Sequence, residues 1–455
     1  MRIIRHGAVA LAAACTTTLA GCNLDLQNPN SPTAEQVTTS PDGVIALATG
    51  LQGRYAAAYG QFGYTAGLVT DEFAAVSAAL ISISDAEQGA VAPGTGIADA
   101  VFNSLYRVVR SADDVIAGAN ALSAQFDAGT RSGLRALAWT LKADAIGMAL
   151  QSYQQVPIST FGQTEPAYVN RAAALTYVRA LLDSANTELT ANPPSTFFTT
   201  TILTPGVSLP NMLQLFRARY ARMANDNAAA IAAANLVART GTAAISNLQF
   251  PVPTVNPYAN VTGGANGIGP RDSWRLALPA GDQRATYFVT VAAVTGRIGT
   301  ALDTWTRYAN PNAPLPVYFP DEALLIKAEA LANQNNLVEA AAVLDSVRTD
   351  CPGGRGLDDP KACLTALPGG QTQAQLLAEI YVQRRFELLG TGLRWEDVRR
   401  RGLIRGPQAA PATPQDGQRC WLPYSIGDRN ANRNVPSDPA EPTASVAAPA
   451  SCPTP

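Results

Sequence analysis

The chain has 455 residues, 47% of them apolar, enough for a sizeable core. Its 33 basic and 35 acidic residues nearly cancel, only 15% of residues are charged, and Lys142, Lys327 and Lys361 are the only lysines, which excludes the basic footprint of a nucleic-acid binder. The single histidine, His6, lies in the leading segment, so a chain processed behind it has no Ser-His-Asp triad, no Cys-His pair and no histidine-based metal site.

Residues 1–21 read as a lipoprotein signal peptide: Arg2 and Arg5, then a mostly apolar run over 7–18, then Leu19-Ala20-Gly21-Cys22. The L-A-G-C ending resembles the bacterial lipobox, which implies cleavage before Cys22 and lipidation of its thiol. Several acyl chains suffice for stable anchoring, each buried CH₂ contributing about 0.8 kcal/mol. No later run reaches the roughly 20 apolar residues of a spanning helix. Residues 22–32, rich in Asn and Pro, form the expected lipidated tether.

Residues 33–240 are expected to be an N-terminal helical-repeat part. Val37, Val44, Leu47, Leu51 and Tyr55 keep helical spacing over 33–59, with Pro41 and Gly43 marking a break between a short helix and a longer one. A long loop over 60–93 follows, holding Tyr64, Asp71, Glu72 and Phe73; loops of that length are often functional. Val101, Leu105, Val108, Ala112 and Val115 mark the next helix, and Leu134, Leu137, Leu141, Ala145 and Met148 another, stopped at Val156-Pro157. Leu175, Val178, Leu182 and Leu189 mark a third, and 212–238 one or two more.

Over 241–320 the pattern gives way to Pro251, Pro253, Asn256-Pro257, Gly263-Gly264 and Gly269-Pro270, an irregular loop-rich insertion with short β-like pieces such as 287–294. Its glycines lack the strand-turn-helix frame and the lysine of a phosphate cradle. Helical pairs return over 321–406. Leu324, Leu325, Ala328 and Leu331, a polar turn at 333–336, then Leu337, Ala340, Leu344 and Val347 are the helix-turn-helix unit of a tetratricopeptide-type repeat. Residues 407–455 read as a Pro/Ala-rich extended tail. Cys351, Cys363, Cys420 and Cys452, an even number in an exported chain, favour disulfides over metal, with Cys351–Cys363 and Cys420–Cys452 the expected pairs.

Residues 381–401, Y-V-Q-R-R-F-E-L-L-G-T-G-L-R-W-E-D-V-R-R-R, concentrate charge, apolar periodicity and a glycine break. Gly390 and Gly392 end one helix, Leu393, Trp395 and Val398 reopen an apolar pattern, and Asp397 among Arg394, Arg399 and Arg400 predicts an ion-paired corner. In Arg384, Glu387, Leu388, Gly392, Arg394, Trp395, Asp397, Arg399 and Arg400 the stretch resembles the C-terminal signature of the SusD/RagB family of nutrient-uptake outer-membrane lipoproteins. Gln383 and Gly390-Thr391 depart from it. Similar segments run through Glu322, Leu325, Ala328, Glu329 and Ala330, through Tyr153 to Pro157, and through Trp421-Leu422-Pro423 to Asn434.

The resemblance implies a mainly α fold, a superhelix of tetratricopeptide-like helix pairs with a loop-rich second subdomain. It implies a cell-surface, lipid-anchored protein that captures glycan, or sometimes peptide, and delivers it to a TonB-dependent outer-membrane transporter. Such a protein needs no cofactor, metal or catalytic group, only aromatic platforms and hydrogen-bonding side chains. Tyr64, Phe73, Trp274, Tyr287 and Trp305, in loops or in the insertion, are the candidate platforms; Trp139, Trp395 and Trp421 are assigned to packing, and the 381–401 corner to architecture rather than binding. Two alternatives stand beside this reading. One is a helical-repeat scaffold or peptide-binding lipoprotein. The other is a two-carboxylate glycoside hydrolase using acids such as Asp71-Glu72, Asp113-Asp114 or Asp358-Asp359.

Overall fold

The structure, a computed structural model, describes residues 37–76, 81–94, 96–262, 267–297, 299, 301–354, 357–404, 418–441 and 451–452. The signal peptide, Cys22, the tether and the Gly263-Gly264 pair lie outside the described residues.

Ser40 starts the first long helix. Its side chain accepts from the Gly43 amide, Pro41 occupies the first turn where a missing N–H costs nothing, and α1 runs over Pro41–Leu68. The glycine-containing segment 60–68, expected as loop, is therefore helix: Phe62, Ala66 and Leu68 continue the buried stripe of Leu51 and Tyr55, and burial outweighs the cost of Gly60, Gly63 and Gly67. Behind it come β1 (Phe73–Ala75) and α2 (Ile81–Glu87), so the rest of that expected loop also carries structure.

Helices α3 (Gly96–Ala121), α4 (Ala128–Ser152), α5 (Arg171–Ala191), α6 (Leu209–Met223) and α7 (Asn227–Ala234) follow, with the short antiparallel pair β2 (Val156–Pro157) and β3 (Tyr168–Val169) between α4 and α5. Asp127, Asn170 and Asp226 each cap the helix they precede by accepting the backbone amide three residues on. Each of α3 to α7 packs on its predecessor, and α1 packs on α3 and α4. The short connections from α3 to α4 and from α6 to α7 make those neighbours antiparallel, the geometry of a helical superhelix.

The centre of this part is α4, buried on nearly every side from Leu134 to Ser152. At Gly147 a Cβ would collide with the Tyr220 ring, so glycine is what lets α6 approach this closely. Lys142 is buried in the same helix and pairs with Asp113 of α3 at 2.6 Å.

The insertion contains β4 (Asn247–Leu248), α8 (Pro257–Thr262), β5 (Ile268–Pro270), α9 (Asp272–Leu276), α10 (Arg284–Phe288), β6 (Val289–Thr295), β7 (Ala301–Trp305) and β8 (Leu315–Pro316). β6 and β7 form a hairpin, β4 pairs with β8, and β5 pairs antiparallel with β1 through Phe73 with Pro270 and Ala75 with Ile268. That last pairing draws residues 70–75, just after α1, onto the insertion.

Then come α11 (Pro320–Asn333), α12 (Leu337–Arg348), α13 (Gln373–Glu387) and α14 (Leu393–Arg400). Thr372 and Gln375 close a capping box at the start of α13. Leu324, Leu331, Leu344, Val347, Leu376 and Ile380 make a second apolar core where α11, α12 and α13 meet.

Arg219 of α6 joins the two helical parts. Its guanidinium meets Glu322 of α11 at 2.7 and 2.8 Å and Asp144 of α4 at 3.3 Å, while Tyr55 and Tyr220 donate to Asp144 at 2.6 and 2.7 Å. All five groups are buried, and every charge has an opposite partner, as a dry interior requires.

The segment 418–441 is packed more closely than an extended tail. Trp421, Leu422 and Tyr424 are buried, and residues Ile426–Ala431 form α15. A disulfide joins Cys420 to Cys452 and a second joins Cys351 to Cys363. No helix among the described residues is long and apolar enough to cross a membrane.

Candidate binding cavity at the helix corner

Between α13 and α14 the chain turns through two left-handed glycines, Gly390 at φ 75° and Gly392 at φ 81°. A Cβ on Gly392 would strike the Phe62 ring, so α14 sits directly on α1. Inside the corner Asp397 holds Arg384 at 2.7 Å and Arg400 at 3.0 Å, with Arg222 at 3.8 Å. These guanidiniums keep the Asp397 carboxyl well below the ordinary carboxylate range despite its burial. Trp395 is fully buried and donates to the Arg419 carbonyl at 2.7 Å. Of the arginines that the sequence sets around Asp397, Arg400 pairs with it, whereas Arg394 lies over the Tyr381 ring and Arg399 donates to the Gln151 carbonyl at 2.6 Å; Arg384 and Arg222 take their places in the ion-paired corner.

Its outer face, however, is concave. A cavity of about 390 Å³ opens between the 70–72 segment, Ser273 and Trp274 of α9, Tyr381, Arg385 and Phe386 of α13, Arg394 of α14, and Gln418. That is within the size range of small-ligand pockets, about 300–1,000 Å³. The strand pairing of β1 with β5 brings the acidic segment here, and the glycine turn brings the arginines.

The lining has polar groups with unmet hydrogen-bonding capacity. Glu72 is 3% exposed, with the Gly390 backbone amide acting on its carboxyl and no side chain bonded to it; Nη1 of Arg394 is likewise shielded and not hydrogen-bonded. Burial pushes the Glu72 carboxyl up to about 7, against the pull of the Arg394 and Arg385 guanidiniums. Asp71 beside it adopts φ 63°, a left-handed conformation uncommon for a non-glycine residue, and accepts from the Gln418 amide at 2.7 Å. The Arg394 guanidinium lies over the Tyr381 ring at 4.7 Å, and so does that of Arg401.

Of the five candidate platforms, Trp274 alone lines this cavity. It is 1% exposed, packs edge-on against Phe288 and Phe386, and donates from Nε1 to the Arg385 carbonyl at 3.2 Å, so it forms a wall rather than an open stacking face. Phe73 and Trp305 are buried with Tyr258 and Tyr308 in one ring cluster, and Tyr64 meets Tyr258 edge-on. Trp305 also borders a separate cavity of about 380 Å³ beside β5 and β7. Tyr287 is half-buried against Phe288 and Phe319, with Arg307 over its face. The irregular sequence around these rings suggested exposure. The insertion instead folds back onto β1 and α13 and uses the rings as its own core.

The corner, assigned to architecture from its sequence, thus supplies both packing and cavity wall. Glu72, Arg385 and Arg394 were missed as a group because Glu72 lies more than 300 residues before the arginines and meets them only through tertiary contacts, the packing of α14 on α1 and the pairing of β1 with β5.

Other acids are paired. Asp113 meets Lys142, Asp114 meets Arg110 at 3.1 Å, and Asp358 meets Arg307 at 2.6 Å. Asp321, Asp350 and Asp359 cluster with oxygens within 4.8 Å of one another, and the Lys361 ammonium pairs with Asp350 at 2.8 Å and with Asp359, bringing positive charge to the group. A larger cleft of about 610 Å³ between α1, α4 and residues 201–207 is lined by Tyr55, Leu137, Leu141, Ile202 and Met212 together with Thr49, Gln52, Thr201, Thr204 and Gln249.

The fold defines a class: a tetratricopeptide-like helical superhelix with an irregular insertion ahead of its last helical pairs. Residues 272–434 match the SusD family model, in line with the resemblance read from the sequence. Among solved structures it is similar to a SusD superfamily protein from Bacteroides fragilis, at 15% identity over 88% of this chain and 99% of that one, with a TM-score of 0.65. A SusD superfamily protein from Bacteroides thetaiotaomicron matches at 15% identity over 88% and 99%, with a TM-score of 0.66. A SusD-like carbohydrate binding protein from Bacteroides vulgatus matches at 15% identity over 87% and 97%, also with a TM-score of 0.66. A comparison with curated proteins returns no match.

Proposed function

We propose that the protein is a lipid-anchored capture protein of the outer cell surface that binds glycan and delivers it to a TonB-dependent outer-membrane transporter. The match of residues 272–434 to the SusD family model supports this reading, as does a shared fold with a structure described as a carbohydrate-binding protein. The lipobox ending at Cys22 supports the anchor.

The observation that carries the binding step is the corner cavity with its unmet polar groups. A buried carboxyl with no side-chain partner accepts a ligand hydroxyl, and a guanidinium N–H alongside donates to a ring or hydroxyl oxygen. Trp274 and Phe386 give the same cavity an apolar wall.

Affinity-gel electrophoresis and calorimetry with a panel of polysaccharides and oligosaccharides test this on the body lacking Cys22. Binding weakened by Glu72→Gln and Arg394→Gln is expected. Binding of peptides with no glycan binding would favour the peptide-lipoprotein alternative, and no small ligand at all would favour the scaffold. Sugar release abolished by Asp71→Asn or Glu72→Gln would instead identify a hydrolase.

A further inference from the structure

The cleft of about 610 Å³ between α1, α4 and residues 201–207 shares no residue with the corner cavity, and no charged side chain lines it. Several of its polar side chains are engaged inside the protein. Gln52 Nε2 donates to the Ile202 and Ala48 carbonyls at 2.9 and 3.1 Å, and its Oε1 accepts from the Thr204 amide at 2.8 Å. Thr49 donates to the Ile45 carbonyl at 3.1 Å and Tyr55 to Asp144 at 2.6 Å. The apolar wall is made by Ala56, Leu137, Leu141, Ile202, Met212 and Leu248, and at the rim Pro251 leads to Val252, which is 83% exposed. Gly53 lines the same cleft from the interior of α1. No close approach demands glycine there, since nothing lies within contact of a Cβ, and a larger side chain would take up space at the cleft wall.

We propose that this cleft receives an acyl chain of the lipidated Cys22 of the same molecule when that lipid is out of a bilayer. The inference rests on the lipid-anchor part of the reading above and adds a second site to it.

A sugar asks for many hydrogen-bond partners and an anion asks for a cation, whereas an acyl chain needs neither and gains from leaving water with each methylene buried. The connection is long enough. Residues 22–36 separate the lipidation site from the first described residue, Val37; fully extended they reach at most about 50 Å, and even wound as a helix they would span about 22 Å. Thr49 and Gly53 lie only about 12 and 18 Å along α1 from its start at Pro41. Tethering makes the encounter intramolecular, so the chain's own lipid has the advantage over a dissolved one. A bilayer, which takes all the acyl chains at once, empties the cleft on anchoring.

The test uses cis-parinaric acid, a fatty acid whose fluorescence rises in apolar surroundings. It is titrated into two forms of the full processed chain below the micelle concentration of the detergent. One form is lipidated; the other carries Cys22→Ser and is exported behind an ordinary secretory signal. The unlipidated form is expected to bind the probe, and the lipidated form to bind it at least about tenfold more weakly because its own acyl chain competes. Gly53→Leu in the unlipidated form should weaken probe binding about tenfold by filling the cleft. Thermal melting confirms that this variant is folded, and Thr201→Trp at the rim replaces it if it is not. Equal probe binding by the two forms overturns the inference, as does no binding by the unlipidated form or binding that neither cleft variant weakens. Mass spectrometry of the N-terminal peptide separates the two readings: a lipid on Cys22 with equal probe binding removes only this inference, whereas an unmodified Cys22 removes the anchor together with it.

Discussion

Arg384 of α13 and Asp397 of α14 face each other across the glycine turn, Nε to Oδ2 at 2.7 Å, both shielded from water. The pair fixes the angle between the two helices whose outer faces form the cavity wall. Arg400 and Glu329 extend it to α11, so the corner is tied to the neighbouring repeat as well.

Removing one partner leaves a buried charge unmatched. Asp397→Asn is expected to destabilise the fold by about 3–5 kcal/mol, read as a lowered urea midpoint with unchanged slope. The wild-type contribution has a defined pH sense. The folded carboxyl lies below its unfolded value, so this stabilisation is present at neutral pH and is lost as pH falls through the acid range. The variant should lose less stability on acidification.

Glu72 has the opposite sense. Its folded value of about 7 lies above the unfolded 4.5, so the native state holds the extra proton between them and stability declines as pH rises through that window, then levels off. A gap of that width corresponds to about 3 kcal/mol. Glu72→Gln, which cannot ionise, should be the more stable protein at pH 8 and show a flatter stability profile from pH 5 to 7.5 by chemical denaturation.

Gly392→Ala tests the turn itself. An alanine there takes a left-handed conformation and meets Phe62 of α1. The conformational cost is about 1–2 kcal/mol and overpacking adds about 1–3 kcal/mol. A fall in melting temperature is expected, together with weakened binding at the cavity, because α14 carries Arg394. Gly370 has φ 82° but nothing within contact of a Cβ, so Gly370→Ala should cost only the conformational part.

The disulfide between Cys420 and Cys452, 32 residues apart, closes a loop whose constraint is worth about 3–4 kcal/mol in the chain-entropy account. Cys420→Ser with Cys452→Ser should lower stability by that order. It should also increase proteolysis near 418–441, where Trp421 and Tyr424 are held against the body. Mass mapping of fragments locates the cuts.

Much of the helical frame was legible because burial on one face imposes a 3.6-residue period. The stripes through Val101 and Val115, and through Leu324 and Val347, became α3, α11 and α12. The segment 60–68 was misread because three glycines resemble a loop, whereas the stripe from Leu134 to Met148 became α4. The aromatic residues of the insertion were misplaced for a related reason. Irregular backbone says nothing about which neighbours will cover a ring.

For the corner at 381–401, the sequence by itself determined the break, the two helices and the pairing of Asp397 with arginines, since glycine conformation, helix period and charge balance are local properties. Only the tertiary structure decided that Glu72 lies beside Arg394 and Arg385. That meeting depends on long-range contacts, the packing of α14 on α1 and the pairing of residues 73–75 with 268–270, which leave no periodic trace in the segments involved.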